Sequence, residues 1–171
     1  FNLTTSVARF VNDSALTCTS PAHMGDAGAL ALATSVPIEM SNNLQDFTNS
    51  GIYFEYQSEV HLVSVAPAGG PTSGGSLVTV EGENFASGLT LCRFGDNAVP
   101  ATLVSLSTAQ CISPALGGAK NLRVLVGMST NGVDFAESRI HFVYHAPIQI
   151  TRLEPLQGPL QGRTLVAVYG Q

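Results

Sequence analysis

The sequence predicts an all-β sandwich repeated in tandem, and three observations carry that expectation. Strand-length stretches are separated by Gly-, Pro-, Asn- and Ser-rich turns, with helical periodicity nowhere along the chain. A set of residue identities recurs at one fixed offset, the mark of a duplicated unit. Two cysteines, Cys92 and Cys111, stand 19 positions apart and frame the stretch that both halves of the pattern share.

The offset sets the domain organisation. Asp46-Phe47 recurs as Asp134-Phe135, Phe54-x-Tyr56 as Phe142-x-Tyr144, Pro67 as Pro155, and Gly70-Pro71 as Gly158-Pro159. Leu77-Val78-x-Val80-x-Gly82 returns as Leu165-Val166-x-Val168-x-Gly170, and every one of these pairs is 88 positions apart. Nearer the N-terminus Cys18-x-Ser20-Pro21 matches Cys111-x-Ser113-Pro114 at an offset of 93, so the first copy carries about five extra residues between Cys18 and Asp46. The expected division is a C-terminal part of one repeat over 1–59, a complete repeat over 60–146 and the start of a third over 147–171. Both ends then fall inside a repeat, as expected for a segment of a much longer chain. The mate of Cys18 would lie two positions before residue 1.

In chain order, Ala29 to Ile38 alternates and Ile52-Tyr53-Phe54-Glu55-Tyr56 is aromatic, so both read as strands. The extra residues of the first copy sit in His23-Met24-Gly25-Asp26-Ala27-Gly28, a surface loop by composition. Val60 to Val65 opens the complete repeat as a strand. The segment from Pro67 to Gly75 is expected to stay outside the sheet, because its prolines lack a donor. Leu77 to Glu81, Leu89 to Phe94, Ala101 to Leu106 and Ala109 to Ile112 follow. Leu122 to Met128 then places Leu122, Val124, Val126 and Met128 on one face, and Ile140 to Tyr144 closes the unit with Phe142 and Tyr144 on one side. Seven short strands with turn chemistry between them make a β-sandwich pattern. About three residues, none of them glycine, separate Tyr144 from the next opening strand at Ile148, so neighbouring units are expected to abut stiffly in a quasi-linear rod.

Composition narrows the partners. The net charge is −5 and Lys120 is the only lysine, so no basic patch is available for nucleic acid or for direct contact with an anionic membrane. Charged residues make up 11% of the chain, against about 25% in ordinary soluble domains. A surface of Ser, Thr, Ala and Gly suits lateral contacts between copies, a glycan coat, or simply a neutral exterior. Two cysteines per repeat at a fixed spacing suggest one intradomain disulfide each, and hence an oxidising, extracellular or cell-surface setting. A zinc site would need four sulfur or imidazole ligands around one ion, and no cysteine pair here has the short spacing of a zinc knuckle. Asn2-Leu3-Thr4 and Asn12-Asp13-Ser14 are acceptor patterns for N-glycans at Asn2 and Asn12.

Several residues invite a chemical reading. Glu81 and Glu83 share one side of a strand, the arrangement of paired carboxylates, yet the third copy has Tyr169 and Gln171 there, so a solvent-facing strand fits better. His141 and His145 in one strand stand roughly 13 Å apart and share no ion. The glycine-rich 69–75 segment lacks the lysine and the following helix of a phosphate loop, which leaves a turn. Met40-Ser41-x-Asn43-x-x-Asp46-Phe47 recurs as Met128-Ser129-x-Asn131-x-x-Asp134-Phe135. One carboxylate per copy is poor for calcium, so a turn closed by Asn and Asp is expected, with Phe135 filling the core. No Ser/His/Asp or Cys/His set is present, so the expectation is no enzyme, no cofactor and no metal.

Taken together, Pro67-x-x-Gly70-Pro71-x-x-Gly74-Gly75-x-Leu77-Val78-x-Val80-x-Gly82-x-Asn84-Phe85, Cys92-x-Phe94-Gly95, Cys111-x-Ser113-Pro114 and Phe142-x-Tyr144 resemble the IPT/TIG domain. That module occurs in plexins, Met-type receptors, fibrocystin-like proteins and protist and algal surface proteins. The resemblance runs from end to end of the chain. It implies an immunoglobulin-like, early-set β-sandwich in tandem, with Cys92 and Cys111 as the usual disulfide pair. The expected function is a non-enzymatic extracellular structural or adhesion segment: a rod of repeats in a large surface or flagellar-hair-like filament protein. Its partners would be neighbouring repeats, lateral or self-assembly contacts, and N-glycans. A ligand-binding ectodomain of a plexin- or Met-like receptor is the alternative, and a carbohydrate-binding accessory of a secreted hydrolase a weaker third.

Overall fold

The computed structural model describes residues 5–22, 34–117 and 121–170, among which there are fourteen strands and no helix. The chain divides into two compact units, 1–58 and 59–171. Asn2, the 23–28 loop, the first part of the Ala29 to Ile38 stretch, Lys120 and Gln171 lie outside the described residues.

The first unit holds β1 (Arg9–Asn12), β2 (Ala15–Thr17), β3 (Thr34–Pro37) and β4 (Tyr53–Tyr56) as two antiparallel pairs, β1 with β2 and β3 with β4. None of its described residues is fully buried.

The second unit opens with β5 (His61–Ala66), β6 (Gly69–Pro71), β7 (Leu77–Glu83), β8 (Leu91–Phe94), β9 (Asn97–Ser105), β10 (Thr108–Ile112), β11 (Leu122–Ser129) and β12 (His141–His145). These are hydrogen-bonded in the order β5-β7-β10-β9-β8-β11-β12-β6. The long β9 folds that ribbon into two layers, because its first half pairs with β8 (Leu91↔Pro100 to Phe94↔Asn97) and its second half with β10 (Cys111↔Ala101 to Thr108↔Ser105). Between the layers lies one core of Val78, Val80, Phe85, Phe94, Val126, Met128, Phe142 and Tyr144, with Cys92 and Cys111. Period-two alternation produces it: β7 buries Val78, Val80 and Gly82, and β12 buries Phe142 and Tyr144. The rings of Phe94, Phe142 and Tyr144 meet edge to face at 5.3 Å and 4.9 Å. Gly95, with φ of 61°, makes the two-residue β8–β9 hairpin turn, a left-handed conformation that explains the glycine of Cys-x-Phe-Gly. Beyond β12, β13 (Ile150–Glu154) pairs with β14 (Ala167–Gly170), and all residues of both are exposed.

Strand pairing follows the sequence offsets residue by residue. Thr34↔Tyr56 through Pro37↔Tyr53 in β3–β4 corresponds to Leu122↔Tyr144 through Leu125↔His141 in β11–β12. Arg9↔Thr17 and Phe10↔Leu16 correspond to Thr102↔Gln110 and Leu103↔Ala109, including the irregularity after the second pair. Ile150↔Gly170 and Arg152↔Tyr169 correspond to Leu62↔Gly82 and Ser64↔Glu81, again with the irregularity between them.

The structure departs from the sequence expectations in five places. The domain has eight strands instead of seven, because β6 lies inside the Pro67–Gly75 segment and pairs in parallel with β12. Val143 donates its N–H to the Ala68 carbonyl at 3.0 Å and Thr72 donates to the His145 carbonyl at 2.9 Å, so even-numbered residues carry the ladder. Pro67 and Pro71 fall on the other parity at a sheet edge, where a missing donor costs nothing. β9 begins at Asn97, upstream of Pro100, since Pro100 sits where the strand changes partners. Phe135 is half-buried under Arg93, whose guanidinium stands 4.6 Å from its ring, while Ala136 packs on the core instead. Arg93 reaches across because Gly127, its cross-strand neighbour, has no side chain in the way. Leu122 is exposed at the end of β11, so the buried face begins with the partly buried Val124. Lastly, β13 begins at Ile150 instead of Ile148.

Candidate functional site

The cysteine pair, Ser113-Pro114, the double glycine and Tyr144 converge on one place, the turn after β10, and it is a fastening. Cys111 on β10 and Cys92 on β8 form a disulfide that ties one layer to the other, with Cα atoms 6.3 Å apart. Both are buried, so neither sulfur is an available nucleophile. Two residues on, buried Ser113 faces the β6–β7 turn. Its N–H donates to the Ser76 carbonyl at 2.8 Å, its hydroxyl accepts from the Ser76 N–H at 3.1 Å, and its carbonyl accepts from Gly75 N–H at 2.9 Å. Gly74, with φ of 73°, passes so near the chain that an added Cβ would stand 2.6 Å from the Ala115 nitrogen, while Gly75 faces open space and is favoured by its own φ of 85°. Leu116 N–H donates to the Thr72 carbonyl at 2.9 Å.

Tyr144 completes the fastening. Its buried ring delivers the hydroxyl to the Pro114 carbonyl at 3.0 Å, the partner that a buried tyrosine requires. Burial raises the Tyr144 phenol above its ordinary pKa, since the phenolate would lose its water. The same contact exists in the first unit, where Tyr56 donates to the Pro21 carbonyl at 2.8 Å. In the sequence Cys-x-Ser-Pro and Phe-x-Tyr stand as separate signatures. Their joint presence in both copies was the available signal that one serves the other.

The second recurring motif is a closed turn. Asn131 Oδ1 accepts from the N–H groups of Val133 at 3.0 Å and Asp134 at 2.9 Å, and its Nδ2 donates to Asp134 Oδ2 at 2.9 Å. In the first unit Asn43 accepts from Gln45 and Asp46 at 2.9 Å each and donates to Asp46 Oδ2 at 2.7 Å. The carboxylate is thus committed to an amide in both copies. Among the described residues no group of three or more His, Cys, Asp or Glu is placed to hold a metal ion.

The other singled-out residues stay apart. Glu81 and Glu83 are exposed on β7, where Glu81 accepts from the Ser64 hydroxyl at 2.8 Å. His141 Nδ1 stands 3.2 Å from an Arg123 nitrogen, at the opposite end of β12 from His145. Cys18 is an exposed free thiol. Asn12 is exposed at the end of β1, its Oδ1 accepting from both the N–H and the hydroxyl of Ser14 in the following turn at 2.9 Å. Among the described residues, every buried side-chain nitrogen and oxygen has a partner.

Known proteins carry the same unit. The IPT/TIG domain model matches residues 61–144. Plexin-A4 of Danio rerio is 28% identical over 121 residues, which is 64% of this chain and 6% of the plexin. The full extracellular region of a plexin A4 superposes with a TM-score of 0.53 at 25% identity, covering 71% of this chain and 10% of that one. A second plexin A4 extracellular structure gives a TM-score of 0.46 at 23% identity over 56% of this chain and 9% of its own. The chain therefore spans a small fraction of the relatives it matches.

Proposed function

Residues 61–144 being an IPT/TIG domain, we propose that the chain is a non-enzymatic extracellular segment of a tandem array, one that spaces and holds its neighbours. The observation that carries this reading is the recurrence of strand registers and turn bonds at the sequence offsets on both sides of the complete domain. The disulfide and the match to the extracellular region of plexins support an oxidising, extracellular setting. In this reading 1–59, 60–146 and 147–171 are successive repeats, and Cys18 bonds a cysteine upstream. Asn12 and Asn2 carry N-glycans, and the sparsely charged surface makes lateral contacts in a filament or surface layer.

Longer stretches of the parent chain, with neighbouring repeats added one at a time, test this by small-angle scattering and non-reducing peptide mapping. Each added repeat is expected to lengthen the particle by an equal step and to bring Cys18 into a disulfide. A maximum dimension that fails to grow with repeat number, or a Cys18 that stays a free thiol beside its upstream neighbour, overturns the array.

A further inference from the structure

The chain leaves the complete domain through β12, which is paired in parallel with β6, the strand that follows the entry strand β5, and we infer from this geometry that the domain resists tension applied along the chain. This goes beyond the array, because the arrangement belongs to residues 60–146 alone. Tension arrives through β5 and the adjoining β6 and departs through β12. Gly69, Gly70 and Pro71 run parallel to Val143, Tyr144 and His145. The outward-pulled end of β6 therefore lies at the opposite pole from the outward-pulled end of β12. Force then runs along the strands and across their hydrogen bonds, so the bonds share it and part together. Antiparallel hairpins behave differently. In β3–β4 the pulled ends, Thr34 and Tyr56, are themselves a pair, as are Ile150 and Gly170 in β13–β14, and such ladders open one bond at a time.

Both clamp strands are anchored to the fastening described above. The ladder is closed by Val143 N–H to the Ala68 carbonyl and Thr72 N–H to the His145 carbonyl. Behind β6, Thr72 and Gly75 are bonded to Leu116 and Ser113, while Tyr144 on β12 is bonded to Pro114. That segment continues from Cys111, which is joined covalently to Cys92 on β8. Once the clamp fails, the disulfide still holds the chain between the two cysteines closed, which limits how far the domain extends.

Single-molecule pulling of the whole chain by its termini tests the inference. Residues 1–58 and 147–171 are expected to extend at low force and the complete domain to open last, in one step. Reduction should lengthen that step by about 60 Å, the length released by a 19-residue separation. Thr72→Pro removes one clamp donor while suiting the second position of the turn closed by Gly74 N–H to the Pro71 carbonyl. It should speed opening at fixed force roughly fivefold. Should that variant fail to fold, the unmutated sequence held at Asp96 and Pro147 serves instead. Both points lie at one pole, because β8 and β12 are each antiparallel to β11 between them, so β12 is peeled away and should part at lower force. A domain that opens with the hairpins, a Thr72→Pro chain of unchanged rate, or equal forces in the two pulling directions overturns the inference.

Discussion

Residues 53–56 and 141–144 form the same strand, in the same register with its partner, and differ in what they bury. Phe142 is 0% exposed, whereas Phe54, its counterpart 88 positions earlier, is 41% exposed. Phe54 and Tyr56 still meet edge to face at 5.0 Å, much as Phe142 and Tyr144 do at 4.9 Å. Hairpin register, ring contact and the tyrosine bond to a Cys-x-Ser-Pro carbonyl therefore arise without the complete sandwich. Burial needs β5, β7 and β8, and the described part of the first unit has no strands corresponding to them. Pairing is a property of neighbours, while a core is a property of the whole sandwich.

The largest expected difference between the two regions comes from truncating the matched rings. Phe142→Ala should destabilise the domain by about 3–5 kcal/mol through lost burial and a cavity. Phe54→Ala should cost about 1 kcal/mol or less, since its side chain already meets water. Urea denaturation followed by circular dichroism checks both, and equal costs would break the comparison.

A smaller effect is expected at the tyrosines. Tyr144→Phe leaves the Pro114 carbonyl without its donor, at a cost of about 1–2 kcal/mol. Burial raises the pKa of Tyr144 above its unfolded value of about 10. Its contribution is therefore whole below about pH 10 and is lost as pH climbs toward the folded pKa. The unmutated chain should lose stability on going from pH 8 to pH 11 more steeply than the Tyr144→Phe variant. Identical alkaline slopes in denaturant titrations would remove Tyr144 as the cause.

The smallest effect sharpens the comparison from the other side. Asn131→Ala and Asn43→Ala each delete a turn whose bonds are wholly local, so each should cost only about 0.5–1 kcal/mol. Because the networks match, amide hydrogen exchange should quicken at Val133 and Asp134 in one variant and at Gln45 and Asp46 in the other. A response in one copy alone would show that the sandwich, and not the turn, holds the loop.

Much of the fold is legible in the sequence, and the reasons differ by element. Val78 and Val80 against Glu81 and Glu83 give the face of β7 away, because side chains alternate and water sorts them. Asn131 and Asp134 name their own turn, since every partner lies within three residues. Phe135 reads as core in the sequence because an aromatic beside a strand end looks like core. Its true cover is Arg93, reached only through the gap that Gly127 leaves in the neighbouring strand. β6 is not legible in the sequence, because its prolines argue against a strand and composition carries no record of ladder parity.

The sequence by itself determined that the chain is built of short strands, that its unit recurs, and where its turns fall. Those features rest on side-chain alternation and on bonds that close within a few residues. Only the tertiary structure decided that Gly69–Pro71 joins β12, that Tyr144 ends on Pro114, and that one Phe-x-Tyr is sealed while the other is open. Each of those outcomes depends on groups 30 or more positions apart meeting at the right parity and depth. A linear pattern cannot state that condition, because parity and depth are fixed only when both layers close.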